Sequence, residues 1–367
     1  MKRTAKKILL FAQDGSGIGH LRRLSRIAEH LQASHTTLLV TGKREAAYML
    51  PPQCEFIHIP SWRSMGHGPH AREETRWRDM SARDAIVFIS ALCERIHDTF
   101  QPECIIADYL PFGMFDELRG LLKRTGARKY LVERGIFDSH DTHRFTASVL
   151  DEVRSTYDAV LFASDARISK ESGGAFTQSL GTRVKHIGYI MPPAVDRMAV
   201  RKAHAVPNGP WIVCSAGGGM KAGQFLAECA RAAMAFSDAF FDIVLGPYAA
   251  EDAQSFDAAP NCRIRRTQWD LPRMHAASDI AIINGGYNSL LEAVSGGARV
   301  IVFPNQQRVG EQVMHAKQLA EFYPISVLAD SSGLSAAITQ NMRSLESRPT
   351  FALDTAGLET LQKEIES

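Results

Sequence analysis

Three times along this chain a short apolar run ends in glycines and a segment of helical period begins. Residues 8–12 (ILLFA) run into Gln13-Asp14-Gly15-Ser16-Gly17-Ile18-Gly19, after which Leu21, Leu24, Ile27, Ala28 and Leu31 recur at the spacing of one helical face. Residues 211–214 (WIVC) run into Ser215-Ala216-Gly217-Gly218-Gly219 and an alanine-rich helix that ends near residue 236. Residues 280–283 (IAII) run into Asn284-Gly285-Gly286 and a helix carrying Leu290, Leu291 and Glu292. Apolar runs this short are buried strands, and strands that alternate with helices build a parallel sheet. Glycines let the backbone come close to a ligand, and a helix N-terminus turns free N–H groups and partial positive charge toward it.

The same alternation fills the space between these turns. Residues 36–40, 56–59, 104–108, 129–132, 159–163 and 185–190 read as strands of a first half. Residues 241–246, the neighbourhood of Ile264, 300–303 and 325–328 read as strands of a second. Asp108 and Glu133 close their strands, the end of a parallel strand that faces the ligand crevice. Residues 61–83 break the pattern with Trp62, Met65, His67, His70, Arg72, Arg76, Trp77 and Arg78, and read as an irregular binding loop. At 367 residues the chain is long for one core. The proline-rich stretch before Trp211 is the best boundary. The division is a domain over 1–190, a linker over 191–210, a second domain over 211–350, and a C-terminal helix over 351–367 that could pack back on the first domain.

Composition removes several classes of function. A net charge of +2 lacks the basic field of a nucleic-acid binder. Six cysteines without a CxxC pair read as reduced thiols of a cytoplasmic protein and make a metal site improbable. No apolar run approaches a membrane span, and the basic N-terminus leaves only peripheral membrane contact open.

Chemistry concentrates in the glycine turns. Gly285 and Gly286 at a helix start suit phosphate oxygens. Glu292, within the first two turns of that helix, suits the paired hydroxyls of a ribose. Asn305, Gln306 and Gln307 offer amides that both donate to and accept from sugar hydroxyls. These residues, with GIGHLRR at 17–23, VERGIFD at 132–138, YDAVLFASDARI at 157–168, HIGYI at 186–190 and GEQ at 310–312, resemble the signature of family 28 glycosyltransferases. That family includes the peptidoglycan N-acetylglucosaminyltransferases. The likeness is nearer to a bacterial group of predicted glycosyltransferases.

The resemblance implies an α/β chain of GT-B fold, two Rossmann-like domains facing each other across a cleft. It implies a nucleotide sugar, UDP-linked, as co-substrate, no other cofactor, no metal, and inversion at the transferred sugar. Gly217, Gly218, Gly219, Gly285 and Gly286 would lie near the diphosphate, with Asn288 in the same donor segment. Glu292 would take the ribose, Gln306 and Gln307 the sugar, and the loop from Trp269 to Leu271 the base. The first domain would hold a small-molecule or lipid-linked acceptor, with Gly15, Gly17, Gly19 and Arg22 lining the cleft. His20 is a candidate base, since an imidazole near its ordinary pKa can deprotonate an acceptor hydroxyl. Asp14, Asp108 and Glu133 compete for that role or orient the imidazole. Two departures stand out. The Gly-Gly-x-Gly-Gly-His of the peptidoglycan enzymes is here Gly15-Ser16-Gly17-Ile18-Gly19-His20, and Asn305-Gln306-Gln307 replaces a His-Gln pair. A nucleotide-sugar hydrolase, an epimerase of the same fold and a non-catalytic sugar-nucleotide sensor are the alternatives.

Overall fold

The computed structural model describes residues 4–12, 17–65, 72–75, 79–137, 145–168, 174–219, 222–250, 252–256, 259–303 and 309–367. The chain divides into two compact units, Met1–Ile190 with Asp354–Ser367, and Met191–Leu353.

The first unit is built on strands β1 (Lys7–Ala12), β2 (Thr36–Thr41), β3 (Glu55–His58), β6 (Cys104–Asp108), β7 (Arg128–Glu133), β8 (Ala159–Phe162) and β9 (Val184–His186). Between β3 and β6 lie β4 (Trp62–Met65) and β5 (Arg72–Thr75). The seven strands pair in parallel in the order β3-β2-β1-β6-β7-β8-β9. Five of the six residues of β1 are buried. This follows from a parallel sheet covered on both faces, and it explains why the strand reads as a continuous apolar run. Helix α1 (Gly19–Gln32) follows β1 and buries Leu21, Leu24, Ile27, Ala28 and Leu31, the stripe expected from the sequence. Strand order reverses between β1 and β6, which are hydrogen-bonded neighbours with Leu9 opposite Ile105. In an open α/β sheet such a reversal leaves a crevice at the strands' C-terminal ends.

Residues 61–83 are not the irregular loop expected. β4 and β5 form an antiparallel hairpin, with Trp62 opposite Thr75 and Met65 opposite Arg72, and helix α2 (Ala82–Phe100) is the next element in the chain. Ser81 caps α2 by accepting from the backbone N–H of Asp84 at 3.1 Å. Trp62 is buried edge-on against Phe115, ring centroids 4.5 Å apart, so this aromatic belongs to the core. Residues 66–71 and 76–78 of that segment, with His67, His70, Arg76, Trp77 and Arg78, lie outside the described residues.

The chain's last helix, Gly357–Glu366, is part of the same unit. Leu361 and Ile365 are buried in one apolar cluster with Leu24 and Ile27 of α1. Lys6 Nζ donates to the Ile365 carbonyl at 2.6 Å, and Tyr130 donates to the Glu364 carbonyl at 3.0 Å. The returning segment is anchored where Asp165 accepts from the Asp354 backbone N–H at 2.8 Å.

The second unit repeats the plan with β10 (Trp211–Ser215), β11 (Phe240–Val244), β12 (Cys262–Arg265), β13 (Ile280–Ile283), β14 (Arg299–Val302) and β15 (Ile325–Val327). All pair in parallel in the order β12-β11-β10-β13-β14-β15. The order reverses between β10 and β13, and both lead into glycine turns. Helix α3 (Gly223–Ala235) follows the first turn, α4 (Leu271–Ala277) precedes β13, and α5 (Tyr287–Ser295) follows the second turn. Among the described residues no helix is long and apolar enough to cross a membrane.

Candidate active site

In the first unit the switch point brings together residues from three elements. His20 stands in the first turn of α1, just past β1, and Asp108 is the last residue of β6. His20 Nδ1 lies 2.6 Å from Asp108 Oδ2. The other carboxylate oxygen accepts from Arg23 Nε at 2.7 Å, and Nη2 of the same guanidinium stands 2.5 Å from it as an ion pair. Asp108 has no exposed side-chain surface, whereas the imidazole keeps 19% of its own. With Nδ1 donating to the carboxylate, Nε2 holds the imidazole's lone pair.

The electrostatics of this group follow from its burial. Burial by itself would push the Asp108 carboxyl up, but Arg23 and then His20 outweigh it and hold the carboxyl below its ordinary value. For His20, loss of hydration is the largest influence and disfavours the imidazolium. The charge and hydrogen bond of Asp108 oppose it, Arg23 and Arg134 add to it, and the imidazole falls from 6.5 to about 4. Tyr109 packs on the ring, centroids 4.4 Å apart, and the Arg134 guanidinium lies over the Tyr109 ring at 5.1 Å. Tyr109 reaches this position with φ +67, while its N–H donates to the Val132 carbonyl at 3.0 Å. A left-handed tyrosine costs about 1–3 kcal/mol, strain of the kind that collects at working sites. Beside Asp108, a small cavity of about 30 Å³ has room for a water molecule.

In the second unit the turns after β10 and β13 lie side by side. Asn284 joins them, donating to the Ala216 carbonyl at 3.3 Å and accepting from the Gly286 N–H at 3.4 Å. Gly217 and Gly285 take φ of +66 and +86, which only glycine adopts without strain. Gly286 caps the N-terminus of α5, whose first-turn N–H groups have no intrahelical acceptors. Gly246, past the end of β11, packs its backbone directly against the Gly217–Gly219 turn. Glu292 is buried on α5, and its Oε2 lies 3.0 Å from Nδ1 of His275, a fully buried residue of α4.

The structure therefore joins His20 to Asp108, and sets the 217–219 turn beside the 284–286 turn and Asn288. Glu133 ends β7 with its carboxylate buried within electrostatic reach of Tyr157. Arg22 is half-buried on α1, Gly17 and Gly19 flank the helix start, and Trp269 is half-buried ahead of α4. Leu271 is a core residue, clustered with Trp211, Val213 and Met274. Asp14, Gly15, Asn305, Gln306 and Gln307 lie outside the described residues. Sequence reasoning missed Arg23, Tyr109, Gly246 and His275. Only Arg23 carried a readable signal: it is three residues past His20, on the same helix face.

The fold can be compared with known proteins. It resembles TcCGT1, solved in complex with UDP, at 13% identity over 99% of this chain and 98% of that one, TM-score 0.65. It resembles the spinosyn forosaminyltransferase SpnP at 13% identity over 99% and 100%, TM-score 0.63. The calicheamicin glycosyltransferase CalG4 aligns at 16% identity over 99% and 93%, TM-score 0.60. The chain has the GT-B fold. The likeness runs through both units, so each parallel sheet is one Rossmann-like domain of a GT-B chain. No family model matches the sequence, and no curated protein does. Among the described residues of this GT-B chain, no group of three or more His, Cys, Asp or Glu is arranged to hold a metal ion.

Proposed function

We propose that this protein is a glycosyltransferase that moves a sugar from a UDP-sugar to an acceptor hydroxyl, with inversion at the anomeric carbon. The observation that carries the reading is the 2.6 Å His20–Asp108 pair at the switch point of the first sheet. Asp108 fixes the tautomer and orientation of the imidazole. His20 Nε2 takes the proton of the acceptor hydroxyl as its oxygen bonds to the anomeric carbon. The bond from that carbon to the diphosphate oxygen breaks, and its electron pair leaves with UDP. Asp108 itself is unsuited as base, because both its oxygens are already engaged and it has no exposed surface.

The second unit is the donor domain in this reading. Backbone N–H groups of the 217–219 and 284–286 turns and the N-terminus of α5 would hold the diphosphate without a metal. Glu292 would accept from the ribose hydroxyls, with His275 fixing the carboxylate. The UDP in the solved TcCGT1 complex supports uracil as the base. If Glu292 does this, Glu292→Ala weakens UDP binding about tenfold and leaves 2′,3′-dideoxy-UDP binding unchanged. Equal loss for both ligands, measured by calorimetry, would remove the ribose contact.

The test of the function is a panel of UDP-, dTDP- and GDP-sugars in excess EDTA, with and without acceptors, followed by nucleotide release. The expected result is acceptor-dependent release of UDP. Release at the same rate in water alone would make the protein a hydrolase, and no release with no thermal shift would remove both. The same assay run across pH reports on the base. His20 has its proton affinity lowered to about 4. It is therefore neutral and competent above that pH, and activity is lost only as pH falls through that region. An acid limb of kcat/KM centred at 6.5 would assign the base elsewhere or place His20 in an unshifted environment.

A further inference from the structure

The His20–Asp108 pair is the outer part of a three-residue chain whose inner member has no place in the reaction as drawn. Arg23 stands one turn beyond His20 on α1, with a side chain only 2% exposed. Buried with it on that helix are Leu21, Leu24, Ile27, Ser25 and a second arginine, Arg26, whose Nη1 reaches the Ile190 carbonyl. Burying a guanidinium there instead of another aliphatic side chain costs desolvation energy that only a matched anion offsets. The anion is Asp108, whose Oδ1 accepts from Nε at 2.7 Å and stands 2.5 Å from Nη2 as an ion pair, while Oδ2 faces His20. One carboxylate is thus shared between a permanent cation and an imidazole.

That sharing matters because an unshared, buried carboxylate 2.6 Å from an imidazole favours the imidazolium. A protonated His20 could take no proton from an acceptor. We infer that Arg23 is a positioning residue for His20: it clamps the Asp108 carboxylate in one orientation and draws off its charge, so that the imidazole rests neutral with Nε2 open. The inference rests on the reading of His20 as the base. Among the described residues, four groups face the imidazole. They are Asp108 from the end of β6, Arg23 from its own helix, the Tyr109 ring, and Arg134 from beyond β7. Asp108 alone favours its charge. Arg134 works in the same direction as Arg23, and Arg23 bonds the carboxylate that faces His20.

The experiment is a histidine NMR titration of the full chain, with the His20 signal assigned by its loss in His20→Ala. In the wild type the His20 imidazole is expected to be neutral at pH 6; an imidazolium there overturns the inference whatever the variants do. Arg23→Gln keeps polarity and removes charge, and is expected to raise the His20 midpoint by about one unit or more. A folded Arg23→Gln protein with an unmoved midpoint makes Arg23 merely structural. Arg23→Lys keeps the charge and loses the Nε hydrogen bond that fixes the carboxylate's orientation. It is expected to leave the midpoint low and to reduce kcat about tenfold at unchanged KM. Should Arg23→Gln not fold, this variant decides, and a raised midpoint or an undiminished kcat overturns the inference. Titration as expected in a protein that turns over no nucleotide sugar would remove the proposed function and leave the hold of Arg23 on His20 standing.

Discussion

Replacing His20 with alanine is expected to lower kcat for sugar transfer by about 10²- to 10⁴-fold, while the Kd for UDP changes by less than about twofold. The size of the loss follows from how the described rivals are placed. Asp108 has no exposed side-chain surface and both its oxygens are occupied, one by His20 and one by Arg23. Glu133 is buried at the end of the neighbouring strand. Removing the imidazole therefore removes the proton acceptor, and it also leaves the Asp108 carboxylate with Arg23 alone. Nucleotide affinity is expected to hold because the donor contacts proposed here belong to the second unit. A stopped assay with the productive UDP-sugar and acceptor gives kcat, and calorimetry with UDP gives affinity. Full activity in His20→Ala removes this residue as the base, and parallel loss of UDP affinity makes it a donor ligand instead.

The second large effect is expected at Gly246, a residue with no chemistry of its own. Its φ is +99, and a Cβ placed there would stand 2.6 Å from the Gly217 carbonyl oxygen and 2.7 Å from both Gly218 C and Gly219 N. All three are backbone atoms of the glycine turn after β10, so no flexible side chain can move aside. Gly246→Ala is expected to destabilise the second unit by about 4 kcal/mol, combining left-handed strain with the displaced turn. UDP binding is expected to weaken with it. The contrast is Gly126→Ala, where nothing lies within 4 Å of the new carbon and the change is expected to stay within about 0.5 kcal/mol. Urea unfolding of the two variants checks both. If Gly246→Ala unfolds at the wild-type midpoint, the two turns are not packed as described.

The hairpin of β4 and β5 shows where local reading stops. Each of its strands is four residues long, and the segment is rich in arginine and histidine. A four-residue strand among polar residues shows too few alternations to mark its period, so its pairing is legible only across the hairpin. The long apolar strands are the opposite case. β1 and β10 are buried along almost their whole length, and that burial is written directly into their composition.

His20 separates what the chain says locally from what the fold adds. The sequence by itself determined that a strand, a glycine turn and a helix put this histidine at a helix N-terminus, and that the plan recurs at Trp211 and at Ile280. It determined the parallel sheets, because burial on both faces and helical period are properties of neighbouring residues. It also put His20 forward as base, with Asp14, Asp108 and Glu133 as rivals for that role or as its orienting partner. The choice of Asp108 as partner came only from strand order. β6 lies against β1 because the sheet reverses direction there, and this joins residues 88 apart in the chain. Arg23, the Gly246 backbone packing and the His275–Glu292 pair are likewise contacts between elements distant in sequence. Periodicity reports which face a residue buries, and the partner on the other side of that face is known only once the elements have packed.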